Sequence, residues 1–267
     1  MTGEFTLAGA QQDVCQSEAP TLLVLGGAGT GKTVTAAAAA RAHLLRRDAT
    51  TGAPGTERVL FLTFSRTAVT QILDRSRGVL QDVADRVDVL TFHGLAWRLI
   101  TDYGRYAGYG TAPRLRGEAE RKLLTADPGI LTYSDLLPAA LQIMALPVIG
   151  GLTARRWSLI ICDEFQDTDR QQWQLVETLT AHGHRLLLLA DPNQMIYDRL
   201  PGRQARHRFG WDRDRHGGTD PHVHHAPSPP FSTCRPGSLS RPDAVLPLSA
   251  RAPMPAHRKQ QEAHPPR

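Results

Sequence analysis

Between residues 20 and 198 the chain alternates short, almost continuous apolar runs with longer stretches whose apolar positions recur every three or four residues. The first pattern predicts strands buried on both faces and the second amphipathic helices; their alternation belongs to a parallel sheet covered by helices. Strands are expected at Thr21 to Leu25, Val59 to Thr63, Val87 to Thr91, Trp157 to Cys162 and Arg185 to Ala190. Helices are expected over Lys32 to Arg46, from about Arg66 to Val79, after Thr91 through Ile100, and from about Asp169 to Ala181. A Gly/Thr/Pro loop is expected at Ala49 to Glu57. Residues 103 to 150 lack β periodicity and read as a small helical insertion.

Beyond Pro201 the pattern stops. Of the 19 prolines 12 fall in residues 199 to 267, as do 7 of the 11 histidines, and apolar periodicity is nearly gone. Such a composition buries little core, so the expected organisation is one folded domain over 1–202 and a disordered Pro/His/Arg-rich tail over 203–267. The tail also holds the charge. From Arg199 onward there are 12 Lys+Arg against 5 Asp+Glu, so the net charge of +5 says nothing about what the folded part binds.

The longest apolar runs, such as Leu22 to Leu25 and Leu186 to Ala190, are far shorter than the roughly 20 residues a membrane helix needs. No basic leader followed by an apolar stretch opens the chain, and the expected setting is cytoplasmic, away from membranes. Cys15, Cys162 and Cys234 form no CxxC pair, which argues against a disulfide framework or a zinc ribbon. His222, His224, His225 and Cys234 sit in a Pro-rich stretch without ligand spacing, so no metal is expected there.

Two motifs carry chemistry. Gly26-Gly27-Ala28-Gly29-Thr30-Gly31-Lys32-Thr33 fits GxxxxGK[ST] and lies between a strand and a helix, the context a phosphate-binding loop requires. Glycines let the backbone turn its N–H groups toward phosphate oxygens, Lys32 reaches the outer phosphates, and Thr33 offers a hydroxyl to Mg²⁺. The second motif is Asp163-Glu164, at the C-terminal end of the strand Leu159 to Cys162, where ligands of open α/β sheets bind. There Asp163 can hold the magnesium ion and Glu164 can orient and deprotonate an attacking water. The cofactors implied are ATP and Mg²⁺.

The run Asp163-Glu164-Phe165-Gln166-Asp167 resembles motif II of the UvrD/Rep-like superfamily 1 helicases. Leu62 to Ala68 (LTFSRTA) resembles motif Ia of that family, Thr91 to Ala96 (TFHGLA) motif Ib, and Ala190 to Tyr197 (ADPNQMIY) motif III. Gln11 is placed like the family's adenine-reading glutamine, with Gln12 the alternative. The resemblance implies a RecA-like P-loop NTPase domain, the first motor domain of such a helicase, coupling ATP hydrolysis to movement along single-stranded DNA. It implies that Gln194 contacts the γ-phosphate, that Phe64 and Tyr197 lie near bases, and that Thr63, Thr91 and His93 lie near the DNA backbone, with Phe92 in the same segment. On the residues alone, Phe64 and Phe92 could equally be core aromatics and His93 a structural histidine at a helix start.

Arg66-Thr67 stands where many family members carry Asn-Lys. Nothing in residues 199–267 resembles the family's second RecA-like domain, whose arginines reach the γ-phosphate and are worth roughly 10³ to 10⁵ in rate. The tail therefore reads as a truncated or out-of-frame continuation, and a separate chain could supply the second domain. Two further readings stay open: an ATP- and DNA-binding module that does not unwind, and an unrelated P-loop kinase. Tyr103, Arg105, Tyr106, Tyr109, Arg114 and Arg116 could track a DNA strand or form a solvated linker.

Overall fold

The computed structural model describes residues 7, 9–52, 55–123, 127–181, 184–191, 193–194 and 244–248. Along them run α1 (Gly9–Gln16), β1 (Thr21–Gly26), α2 (Lys32–Thr51), β2 (Arg58–Thr63), α3 (Arg66–Leu80), β3 (Val87–Thr91) and α4 (Phe92–Tyr103). There follow β4 (Arg114–Leu115), α5 (Glu118–Leu123), β5 (Ile130–Leu131), α6 (Leu136–Met144), α7 (Pro147–Ala154), β6 (Trp157–Cys162), α8 (Arg170–Thr180), β7 (Arg185–Ala190) and β8 (Ala244–Leu248).

The main sheet is parallel throughout, in the order β3-β2-β6-β7-β1-β8. Successive side chains of a strand point to opposite faces, and here both faces are covered. Leu23, Leu60, Leu62, Ile160, Cys162, Leu186 and Leu188 enter one core, shared with α4, α6, α7 and α8. Their neighbours Leu22, Val24, Val59, Phe61, Leu159, Ile161, Leu187 and Leu189 enter the other, beneath α1, α2 and α3. Parallel pairing brings every strand's C-terminal end to one edge. The phosphate-loop motif, Asp163 and Asp191 therefore meet although they are far apart in the chain.

Local signals set the helix ends. Ser65 caps α3 by accepting from Ala68 N–H, and Thr91 caps α4 by accepting from Gly94 N–H. Asp169 and Gln172 form a reciprocal capping box on α8. Helix α2 runs to Thr51, past the expected Arg46, and ends on Gly52 in the left-handed region (φ 73°). Helix α1, whose Val14 and Cys15 are buried, is too short for its periodicity to stand out in the sequence.

Two expectations are corrected. Residues 103–150 are not wholly helical: β4 and β5 pair in parallel, with Arg114 N–H donating to Gly129 O (2.7 Å) and Arg116 N–H to Leu131 O (2.8 Å). Two-residue strands leave no period in a sequence. Helix α6 is also less an appendage than part of the core, through Leu136, Leu137, Ala139, Ala140, Ile143 and Met144. The second correction falls in the tail expected to be disordered, where 244–248 form β8 beside β1, from Leu22↔Ala244 to Gly26↔Leu248. Leu246 and Leu248 are buried against the core beneath α2. Proline, which has no N–H for a ladder, is tolerated on such an edge strand, so Pro247 was a poor guide to disorder. The rest of the tail, including His222, His224, His225 and Cys234, lies outside the described residues.

Candidate functional site

The loop from Gly26 to Thr33 turns from β1 into α2. Its glycines are required sterically at two kinds of position. Gly29 (φ 77°) and Gly31 (φ 83°) adopt the left-handed region that side chains disfavour, and a Cβ on Gly26 would lie 2.6 Å from Thr30 Oγ1. Thr30 closes the turn by donating from Oγ1 to Gly27 O (2.9 Å). No side chain caps α2 at Gly31, which leaves the first-turn N–H groups at Lys32 and Thr33 for an anion. Lys32 is buried; its Nζ donates to Gly26 O (2.7 Å) and Gly27 O (3.3 Å) and lies 3.7 Å from Asp191 Oδ2. Ala28 and Gly29 form the exposed crest. Gln11 donates to Thr30 O (3.3 Å), whereas Gln12 donates to Leu7 O, which selects Gln11 as the glutamine at the loop.

Asp163 is 6% exposed at the end of β6, and its Oδ1 accepts Glu164 N–H (3.1 Å). Burial first, and the Glu164 charge second, push its carboxyl up to about 6. The Lys32 and Arg75 charges offset this only in part, so a divalent ion bound at Asp163 would add the missing positive charge. Glu164 has φ 50° and ψ 44°, and it is the one non-glycine with positive φ among the described residues. Its Oε2 accepts from Gln166 Nε2 (2.6 Å), and Gln166 Oε1 accepts Asp191 N–H (3.1 Å). Asp191 is 1% exposed; Oδ1 accepts Asn193 N–H (2.9 Å), while Oδ2 accepts no hydrogen bond from the described residues and lies 3.7 Å from the Lys32 ammonium. Gln194 is exposed on the same turn, its N–H donating to Asp191 O (3.3 Å). The glycine cradle, the under-neutralised Asp163 and the orphan oxygen of Asp191 together fit a magnesium-bound polyphosphate.

The expected nucleic-acid residues divide. Thr63 is 0% and Phe92 1% exposed, so neither presents to a strand in this arrangement; Phe92 is a core aromatic at the start of α4, packed 5.5 Å from the half-buried Phe64. Thr91 spends its hydroxyl on the α4 cap. His93 is half-buried, with burial holding its pKa below the ordinary histidine value, and its ring stacks on Tyr133 at 4.0 Å and 16°. Tyr133, 59% exposed, was not singled out from the sequence. An aromatic in a turn carries no local signal, and only the fold brings it onto His93. Tyr197 lies outside the described residues.

A separate hollow of about 650 Å³, lined by Tyr109, Arg121, Ile130 and Asp135 among others, lies in the insertion. It holds none of the motif residues, and Arg121 is already paired with Asp135. Among the described residues no group of three or more His, Cys, Asp or Glu could hold a metal by itself, and no single helix is long and apolar enough to cross a membrane.

A family model described as an AAA domain matches residues 11–199. Curated relatives include the RecBCD enzyme subunit RecB of Mycolicibacterium smegmatis, 38% identical over 82 residues (30% of this chain, 8% of that protein). The ATP-dependent DNA helicase UvrD1 of Mycobacterium leprae is 34% identical over 98 residues (33% and 12%), and a probable DNA helicase II homolog of Mycoplasma pneumoniae is 47% identical over 47 residues (16% and 7%). The chain thus spans only a small part of each relative's length.

Proposed function

The chain belongs to the AAA-domain family, as an ATP-binding domain of the UvrD/Rep-like superfamily 1 helicase type, and from that premise we propose that it couples ATP hydrolysis to movement along single-stranded DNA. The observation that carries the reading is the meeting of Lys32, Asp163, Glu164 and the Asp191–Gln194 turn at one edge of the sheet. Loop N–H groups of Gly26–Thr33 and the Lys32 ammonium hold the phosphates, with Gln11 beside the loop to meet the base. Thr33 and Asp163 would hold the magnesium ion, which would supply positive charge to the phosphate oxygens. Glu164 orients a water and takes its proton, and Gln194 contacts the terminal phosphate. In binding, Lys32 exchanges Gly26 O, Gly27 O and Asp191 for phosphate oxygens.

Single-stranded DNA would cross the face that bears Phe64, Thr91, His93 and Tyr133. The His93–Tyr133 stack offers an exposed aromatic on which a base of any sequence can lie. The other partner is the segment, in this chain or another, that supplies a second motor domain, and the setting is cytoplasmic. The test is ATP turnover by the purified chain with and without single-stranded DNA, beside Lys32→Ala. Turnover that rises with DNA and disappears in the variant supports the reading. Nucleotide binding with no DNA-dependent turnover would replace it with an ATP-binding module that does not step.

A further inference from the structure

Resting on the reading of Glu164 as the base, we propose that Gln166 is a positioning residue for hydrolysis: one side chain holds the Glu164 carboxylate and the first residue of the Asp191–Gln194 turn together. An amide is the group this requires, because it carries a donor and an acceptor on one rigid plane. Nε2 donates to Glu164 Oε2 at 2.6 Å, a short bond to a carboxylate, and Oε1 accepts Asp191 N–H at 3.1 Å. The partners fix the orientation. A backbone N–H only donates and a carboxylate only accepts, so turning the amide over would break both contacts.

The surroundings show why Glu164 needs holding. It occupies the left-handed region without being glycine, a conformation that persists only where neighbours over-determine it. Gln166 projects from the 3₁₀ turn Phe165–Asp167, and that turn is anchored by Phe165, 8% exposed and edge-on to Trp173 at 5.3 Å. The turn that carries the amide is therefore fixed to the core through Phe165. Asp191 and Asn193 also border the phosphate loop, through Lys32 (3.7 Å) and through Asn193 Nδ2, which would lie 3.7 Å from a Cβ on Gly27. A displacement of the turn that carries Gln194 pulls on Asp191 N–H, and Gln166 passes that displacement to the carboxylate of Glu164. The amide thereby makes the position of the base depend on the state of the turn that meets the terminal phosphate.

Two substitutions separate the contacts. Gln166→Glu keeps an acceptor for Asp191 N–H but loses the donor to Glu164 and sets like charges together, while Gln166→Met keeps the length and loses both. In DNA-stimulated hydrolysis both variants are expected to lower kcat at least tenfold, with KM for ATP and the Kd for a non-hydrolysable ATP analogue within twofold of wild type. Amide hydrogen exchange at Asp191 is expected to quicken at least tenfold in Gln166→Met and to stay near wild type in Gln166→Glu, with Leu188 in the strand interior unchanged in both. Equal losses of kcat and affinity, a kcat within twofold of wild type, or unaltered Asp191 protection in Gln166→Met would overturn the proposal. Glu164→Gln run alongside tells its failure from that of the underlying reading. Full turnover in Glu164→Gln removes Glu164 as base and this proposal with it; turnover lost in Glu164→Gln but retained in the Gln166 variants overturns this proposal alone.

Discussion

The two edges of the sheet both bury charge, and they treat it in opposite ways. At the N-terminal edge Asp88, 13% exposed, accepts from Arg58 (2.9 Å) and Trp157 Nε1 (2.8 Å), with Arg98 and Arg156 at 3.7 and 4.0 Å. Those contacts outweigh the cost of its burial and leave its carboxyl below the usual range. Beside it the His43 ring meets Ser158 Oγ at 2.9 Å, and Arg185 pins the chain before β1 through Ala19 O and Ser17 O. At the C-terminal edge Asp163 is pushed up to about 6, Asp191 keeps an oxygen without a hydrogen bond, and Glu164 holds a strained backbone. Around Asp88, paired charge ties β2, β3 and β6 together. Unsatisfied charge at the C-terminal edge is what the proposed magnesium ion and its phosphates would meet.

If that division is right, substitutions at the two edges should have separable consequences. The largest effect is expected from Glu164→Gln, which removes the base but little volume: hydrolysis should fall by roughly 10²-fold or more while analogue binding persists, as rapid-quench turnover and an equilibrium titration would show. Next comes the pH dependence of folding. Burial, with Arg185 close by, lowers His43 from 6.5 to about 4, so the unfolded chain takes up the proton first. Its contribution is fully present above about 6.5 and is lost as pH falls toward 4, on the order of 3 kcal/mol in all. Denaturant melts across that window should flatten in His43→Gln. Asp163, raised instead, works the other way: the folded chain gains stability as pH falls from about 6 to 3.8, so the His43 contribution is read as the difference between wild type and variant.

Asp88→Asn should cost about 2 kcal/mol of stability, below the roughly 3–5 kcal/mol for breaking a fully buried pair because Arg58 is 29% exposed. Nucleotide affinity should not change, and a loss there would erase the distinction between the edges. The smallest effect is expected at the aromatic stack, where Tyr133→Ala should weaken single-stranded DNA about tenfold with ATP affinity unaltered, measured by fluorescence anisotropy.

How much of this was readable beforehand follows from where each signal resides. Strands β1, β2, β6 and β7 were legible because buried parallel strands are continuous apolar runs, and the edge strand β3 by its β-branched residues; the expected bounds of all five agree with the structure to within a residue. The phosphate loop and the Asp163-Glu164 pair were legible because their chemistry is contiguous in the chain. Strand β8 was hidden because five apolar or proline residues inside a proline-rich tail look like tail until β1 offers them an edge. Tyr133 and Gln166 were hidden for a related reason: each acquires its meaning from a partner that only the fold supplies, His93 for one and Asp191 for the other. Phe92 shows the converse. A motif position gave it a place at the DNA face, and packing put it in the core.

The central claim is that the unsatisfied edge is a magnesium–nucleotide site organised by Lys32, and an equilibrium titration of a fluorescent ATP analogue tests it most directly. It would be run with and without Mg²⁺ on the wild-type chain and on Lys32→Ala, with circular dichroism to establish that the variant is folded. Magnesium-dependent binding that weakens at least tenfold in the folded variant is the expected result. Equal affinity in the two proteins would contradict the account, because the cation at its centre would then be holding Gly26 O, Gly27 O and Asp191 but no phosphate.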